Sequence, residues 1–533
     1  MTGAIDQVIA YHLRTKHQPQ AMARGPARMD WANQPNPFRN YDGSSLIKLE
    51  RASFDDSEHR ISGLSALNMK NLSRLFFESL ALSGQKSLAG SKWHLRVNPS
   101  SGNLHPTEGY LIAGPVEGLE GSPGLYHYAP KDHALELLAA ANDWQSLGLP
   151  GGTLLVGLTS IYWRESWKYG ERAYRYCMID LGHALAALTV AAHCLGWTAA
   201  LWDDLGRDDL ARLLGLGTGP EKGMATRESS LESNSDKELP DVLLAVFADG
   251  KTHREALDIA GLSRMDLQTR PVRPNTLSQV QIPWPEIDLV SEATKKPPTT
   301  DVYAGFSPTS DRMPSEFCSI LRKRRSAQAM DGKTSMQRES FHAILKAASP
   351  ARSPSGLLPW RPHVHPVIFV HRVEDQEPGL YILLRYPAEK ESLRAAMNMD
   401  FVWERPSRTP GDLELYFLAQ GDSRLAAREA SCRQSIASDG CFAAAMIAEF
   451  EGPLHEFGAW FYSRLHWECG MIAQAFYLAS VAAGFQGCGI GCFFDDMVHR
   501  MLGLSGQKYQ DLYHFTVGKA QADPRLIDLP AYD

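Results

Sequence analysis

Residues 180–216 read DLGHALAALTVAAHCLGWTAALWDDLGRDDLARLLGL, and residues 468–504 read ECGMIAQAFYLASVAAGFQGCGIGCFFDDMVHRMLGL. The two stretches align without a gap at an offset of 288. Nine of the 37 positions are identical: Gly182/Gly470, Ala187/Ala475, Ala191/Ala479, Gly196/Gly484, Asp208/Asp496, Arg212/Arg500 and the closing Leu214-Gly215-Leu216/Leu502-Gly503-Leu504. Two Ala- and Leu-rich helices can look alike by chance. The shared order favours duplication: an apolar helix broken at Gly, then a second helix closing on Leu-Gly-Leu. A helix of the Ala186–Leu195 type, present twice, would let the copies pack against each other as a pseudo-dimer.

Each copy has a strand-like run upstream of this pair, Thr153–Thr159 in the first and Glu414–Ala419 in the second. Long helices alternating with few, short strands predict α+β or α/β layers. The polar stretch Thr218–Pro240 reads as a surface loop. The stretch from Thr269 to Pro314, with Pro297-Pro298 inside it, reads as a linker or extended arm. The reading is therefore a first repeat over 1–268, a Pro-rich arm over 269–315 and a second repeat over 316–533.

Composition narrows the function. The chain has 533 residues, 44% hydrophobic and 22% charged, with a net charge of −7. No basic field collects nucleic acid or anionic lipid. The longest apolar stretches, Met178–Trp202 and Met471–Phe485, do not suit a membrane span: the first contains Asp180, His183 and His193, and the second has only 15 residues. Both read as buried core helices. Met1–Gln20 carries scattered basic residues and no apolar h-region, so no secretory signal is expected. Eight irregularly spaced Cys suggest a reduced, cytoplasmic interior. Cys488/Cys492 and His363/His365 lack a third ligand, so no metal is expected. H-E-x-x-H, P-loop and G-x-S-x-G patterns are absent from the sequence.

Four pieces carry candidate chemistry. Pro99-Ser100-Ser101-Gly102-Asn103-Leu104-His105-Pro106 offers short donors on flexible backbone, which suits a heterocycle edge, a phosphate, or simply a capped turn. Arg324-Arg325-Ser326, at the start of a helix-like segment, is either a dianion clamp or a solvated basic patch with Arg322 and Lys323. Gly487-Cys488-Gly489-Ile490-Gly491 is not a dinucleotide fingerprint, because it follows a helix and opens no β-α-β unit. It suggests close backbone approach to something flat, or a tight turn. Lys168-Tyr169, among Arg164, Arg172 and Arg175, offers a general base if the site is dry.

Together and in this order, these pieces resemble the nitroreductase superfamily, and more closely its SagB-type (ThcOx-like) dehydrogenases in tandem form. Tyr11-His12, Thr15-Lys16-His17 and Asp30-Trp31-Ala32-Asn33-Gln34-Pro35 are similar to that group's opening. Ser91-Lys92-Trp93 through Pro106 matches its flavin-contacting turn, and Lys168-Tyr169 with Ala173-Tyr174-Arg175-Tyr176 its Lys-Tyr motif. Gly489–Asp496 and Tyr513–Gly518 match the ending of the second copy. The resemblance implies an α+β fold of two nitroreductase-like repeats packed as an intrachain pseudo-dimer, a central mixed or antiparallel sheet, and FMN at the interface of the copies. Lys168 and Tyr169 would supply acid–base help. Ser100, Ser101 and Asn103 from the first copy would contact the cofactor. Arg324, Arg325, Ser326, Gln328, Gly489, Ile490, Gly491, Lys519 and Arg525 from the second would do the same.

The sequence departs from the pattern in each half. The first copy has no Arg-Arg-Ser equivalent; its nearest basic residues are Arg51 and Arg60. The second has Pro354-Ser355-Gly356-Leu357-Leu358 in place of the polar turn and Glu456-Phe457 in place of Lys-Tyr. One complete site is therefore expected, with one FMN. The implied activity is dehydrogenation of a small heterocyclic or peptide-derived substrate, as in azoline oxidation. The alternatives are an NAD(P)H-dependent nitro or quinone reductase and a non-catalytic flavin-binding scaffold in a biosynthetic complex.

Overall fold

The computed structural model describes residues 3–51, 63–141, 144–216, 237–253, 267–300, 303, 316–351 and 354–532. Most of the expected 218–240 loop, and Arg60, lie outside the described residues.

Two sheets repeat one plan. In the first repeat the strands run in the order Ala134–Ala141, Gly124–Ala129, Thr107–Ala113, Thr153–Ile161, Glu238–Phe247, Thr198–Trp202. In the second the order is Leu415–Gln420, Gly379–Leu383, Val364–Val370, Phe442–Glu449, Tyr509–Gly518, Gln486–Ile490. Neighbouring strands pair antiparallel throughout both runs. The chain thus has the α+β fold of two nitroreductase-like repeats. One expected correspondence is corrected: the counterpart of Thr153–Ile161 is Phe442–Glu449, whereas Leu415–Gln420 matches Ala134–Ala141, on whose outer side the first repeat adds Ser45–Lys48 and Leu267–Thr269. The run Phe442–Glu449 is Ala-rich and buried on both faces, so it lacks the polar alternation that marks a strand in sequence.

The core lies where the repeats meet. Helices Ala173–Cys194 and Phe461–Ala482, 22 residues each, are buried along nearly their whole length. They pack against each other, as the apolar stretches required. A Cβ on Gly182 would stand 2.2 Å from the carbonyl oxygen of Trp467, and one on Gly470 would stand 2.1 Å from that of Ile179. The matched glycines are the point of closest approach, where only hydrogen fits.

Two segments cross between the repeats. The arm is not extended throughout: Pro285–Ala293 is a helix with Pro at its first position, burying Ile287, Val290 and Ser291. At the C-terminus, Ile527–Leu529 adds a strand to the first repeat's hairpin, Leu82–Leu88 with Ser91–Arg96. Tyr532 then donates to the Pro130 carbonyl at 2.8 Å. The cysteines are not all reduced: Cys194 is bonded to Cys318. A separation of 124 residues gives no sequence signal for that pair.

Candidate functional site

A cavity of about 760 Å³ lies between the repeats, within the range that holds a cofactor. Ser100, Ser101 and Asn103 line it from the first repeat. Arg324, Arg325, Ser326, Gln328, Gly489, Ile490 and Gly491 line it from the second. Tyr169 also reaches it.

The polar turn spends most of its donors on itself. Ser100 Oγ accepts from the backbone N–H groups of Leu104 and His105 at 3.0 and 2.8 Å. Ser101 donates its N–H and its Oγ–H to the Asp180 carboxylate, at 2.9 and 3.0 Å. Asn103 Nδ2 donates to the His94 carbonyl at 2.8 Å. Gly102, Asn103 and His105 all have positive φ, so the turn is held in an uncommon shape that aims backbone at the cavity.

Lys168 and Tyr169 end a short helix, Tyr162–Tyr169. At Gly102, a side-chain carbon would stand 2.6 Å from Tyr169 Oη and 3.1 Å from Lys168 Nζ. The pair therefore backs the turn, with the Tyr169 ring in the cavity wall. Burial pushes the Tyr169 phenol well up, and the nearby Glu165 adds to this. A phenol so held donates a proton or a hydrogen bond rather than acting as a base. The three arginines are committed elsewhere. Arg164 pairs with Glu108, and Arg172 and Arg175 pair with Asp495 at 2.9 and 2.7 Å.

Beneath the turn lies an acid pair missing from the sequence-derived site. Burial pushes the Asp180 carboxyl up to about 8 against the pull of the Ser101 hydrogen bonds. Glu165 is also raised well above the carboxylate range, first by burial and then by the charge of Asp180. Two carboxyls in one dry site keep a proton at neutral pH. Asp180 lines the cavity together with Tyr176, His183, Tyr477 and Tyr513. Its sequence signal was a charge inside an apolar helix, which bears on site chemistry as well as on membrane insertion.

The clamp spans the interface. Arg324 donates to the carbonyl oxygens of Val97 and Arg96 at 3.0 and 3.2 Å. Arg325 donates to the Ser83 carbonyl at 2.7 Å. These acceptors belong to the first repeat. The segment is not the start of a helix: Arg324 has extended ψ after a 3₁₀ turn, and the next helix begins at Arg338. Among the described residues, neither guanidinium makes an ion pair with a carboxylate. Burial holds Arg324 down at about 10, as for a cation lacking an anion.

The glycine wall approaches flat groups closely. A Cβ at Gly489 would collide with Tyr513 Oη at 1.9 Å, and one at Gly491 with the Tyr176 ring at 2.5 Å. The Gly489 N–H donates to Tyr477 Oη at 2.8 Å, and Ser326 and Tyr477 share a hydroxyl contact of 2.8 Å. Lys519 and Arg525 are not brought to the cavity lining: Lys519 Nζ reaches the Gly484 carbonyl, and Arg525 is exposed and pairs with Asp523.

The pseudosymmetric position is filled. The offset of 288 converts Tyr176 and Gly491 into Arg464 and Asp203. There the Tyr176–Gly491 hydrogen bond of 3.0 Å becomes an Arg464–Asp203 ion pair of 2.5 Å. The Tyr303 hydroxyl, delivered by the arm, donates to the same Asp203 at 2.6 Å. Tyr303 packs on Trp360 and Phe457, residues beside or within the altered turn and the altered Lys-Tyr position.

Fold and site together define an α+β protein of two nitroreductase-like repeats with a composite cavity at their interface. Residues 321–519 match the nitroreductase family, so the second repeat is a nitroreductase family domain. The chain is similar to the trifolitoxin-processing protein TfxB of Rhizobium leguminosarum bv. trifolii, 29% identical over 182 residues, which are 30% of this chain and 48% of that one. It is also similar to the microcin B17-processing protein McbC of Escherichia coli, 26% identical over 172 residues, 30% of this chain and 62% of that one. The chain thus spans about half of the first relative's length and under two thirds of the second's. A crystal structure of a nitroreductase-like protein from Anabaena variabilis shares the fold from end to end: the TM-score is 0.69 at 22% identity, covering 97% of this chain and 99% of that chain.

Proposed function

We propose that this chain is an FMN-dependent oxidoreductase of the SagB-type kind, a dehydrogenase of a small heterocyclic or peptide-derived substrate. The observation that carries this reading is the pair Arg324 and Arg325: two cavity-lining guanidiniums without a carboxylate partner among the described residues. A phosphate dianion is the ligand such a pair accepts. The rest of the cavity fits the same group, with a Tyr-rich wall for a flat ring system and a strained polar turn at its edge. FMN, when bound there, supplies the acceptor for a hydride. Arg324, Arg325, Ser326 and Gln328 would hold its phosphate end, and the Asn98–Asn103 turn would flank the ring.

Removing a hydride from a ring carbon also requires moving a proton. Lys168 and Tyr169 stand behind the turn to do that, and the Asp180/Glu165 pair is a buried reservoir beside them. The substrate class is supported by two relatives named as processing proteins for trifolitoxin and microcin B17. The test is a visible spectrum of purified protein after incubation with FMN, followed by anaerobic NADPH. Flavin absorbance that stays oxidised with NADPH is expected. Bleaching by NADPH replaces the dehydrogenase with a nitro or quinone reductase, and protein that takes up no FMN leaves the scaffold.

A further inference from the structure

The cavity wall ends in a thiol that the redox chemistry above does not use. Cys492 lines the cavity, and both Cys492 and Cys432 are unbonded and partly buried. They come from segments 60 residues apart that are tied together. The Phe494 N–H donates to the Ala430 carbonyl at 2.7 Å. Gln434 Nε2 donates to the Cys492 carbonyl at 2.9 Å. Cys432 and Arg433 both have positive φ, a conformation non-glycine residues rarely adopt. Cys432 lies between these two ties, so the turn sets it beside Cys492, and the two thiols act on each other electrostatically.

A third group meets the same sulfur. The Ala23 N–H donates to His17 Nδ1 at 3.0 Å. The other ring nitrogen, Nε2, then carries the proton, and His17 helps to draw the Cys492 thiol down. Arg172 adds positive charge nearby, while Asp495 pairs with Arg172 and Tyr176 and Tyr169 face the thiol as neutral phenols. Cys432 is the largest influence on Cys492, and the set draws it down to about 5, below an ordinary thiol. Cys488, four residues earlier on the same wall, lacks such a set and is pushed up to about 12 by burial.

We propose that Cys492 and Cys432 form a dithiol–disulfide site, with Cys492 as the nucleophile and Cys432 as the resolving thiol, for low-molecular-weight disulfides entering through the cavity. The Cys492 thiolate attacks one sulfur of the small disulfide. A bond to that sulfur forms, the small S–S bond breaks, and one small thiolate leaves. The Cys432 thiol, on losing its proton, attacks Cys492 Sγ in the mixed disulfide and expels the second small thiolate. The two cysteines lose two electrons and two protons in all, and the small disulfide is reduced to two thiols. This inference rests on the geometry of the pair and not on the flavin reading, since it holds for protein without FMN.

The test uses the full chain, with and without added FMN, and peptide mass spectrometry as the readout. With iodoacetamide below neutral pH, Cys492 should be alkylated first among the six free cysteines. With oxidised glutathione, wild type should yield a Cys432–Cys492 peptide pair lighter by two hydrogens. Cys432→Ser should stop at glutathionylated Cys492, and Cys492→Ser should leave Cys432 unmodified. Alkylation of Cys492 no faster than of Cys488, or a glutathione adduct that persists in wild type, overturns the proposal. Both readouts in wild type need no variant to fold. FMN uptake that fails while the disulfide still forms would sink the flavin reading alone.

Discussion

Lys168, one residue from the end of its helix, stands behind the polar turn beside a buried acid pair, where the proposed function needs a proton donor or acceptor. A positioned general acid or base contributes about two to four orders of magnitude in rate. Lys168→Ala should lower turnover by about that factor while flavin absorbance per chain is unchanged; equal turnover would make it an ordinary helix-end lysine. Asp180 gives a separate prediction. Its carboxyl sits at about 8 in the fold against an ordinary value of 3.8. Below the lower value both folded and unfolded chains hold the proton, and the contribution to stability is complete. As pH rises the unfolded chain releases it first, so stability falls until the folded carboxyl also ionises. Urea midpoints should therefore drop less between about pH 5 and about pH 8 in Asp180→Asn than in wild type. Asp241, also raised by burial, acts in both proteins and cancels, whereas Glu165 loses the Asp180 charge that helps to raise it, so the difference reports the acid pair. An identical drop would mean that Asp180 is ionised throughout. The sequence made the exposed chemistry legible, since serines in a turn and adjacent arginines are conspicuous by type. It hid Asp180, Tyr477 and Tyr513 because a polar group within an apolar run reads as core until its partner on another element is known.

The two core helices meet where each carries glycine, and the same alignment that revealed the repeat contains both. Gly182→Ala or Gly470→Ala would drive a methyl group into backbone of the opposite helix, at 2.2 or 2.1 Å. Overpacking of flexible side chains costs about 1–3 kcal/mol, and backbone yields less readily than side chains. Either variant should lose at least that much by urea unfolding, whereas Gly452→Ala, in helix Glu451–Phe457 with open space around its Cβ position, should lose nothing and gain at most the propensity difference of about 1 kcal/mol. Equal midpoints for all three would mean that the helices do not cross at these glycines. The helices themselves were legible because an all-round apolar pattern admits one interpretation, burial. The strand Phe442–Glu449 was not, because alanines carry no β signal and sheet pairing alone decides their conformation. The arm helix was hidden by its own prolines: Pro285 marks a helix start, but among other prolines it reads as extended chain.

At the scale of the whole chain, the losses fall on one site. Arm residue Tyr303 and the Arg464–Asp203 pair occupy the second position, while each surviving motif lines the first. Random decay would scatter losses over both. The crossing C-terminal strand and the clamp further tie the repeats into one unit, which should sediment as a monomer in its functional form; self-association of an isolated, flavin-loaded first half would argue that the second repeat is dispensable as partner. The pseudo-dimer was legible from the offset of 288, but the filled second site was not, since no residue type announces that an arm will occupy a cavity. On the proposed function, one FMN per chain is expected. Charge-assisted bonds to a phosphate contribute about 1.5–3 kcal/mol each, so Arg325→Ala should weaken FMN binding by about one to two decades. The double variant Arg324→Ala/Arg325→Ala should lose the flavin on dilution. Both arginines also hold carbonyls of the first repeat, so the urea midpoint must be measured alongside: a flavin lost from a chain of normal stability locates the phosphate. Arg51 stacks on the Tyr532 ring, 4.4 Å from its centroid, so Arg51→Ala should leave affinity within about twofold. Two flavins per chain by absorbance, or undiminished FMN retention in the double variant, would overturn the composite site.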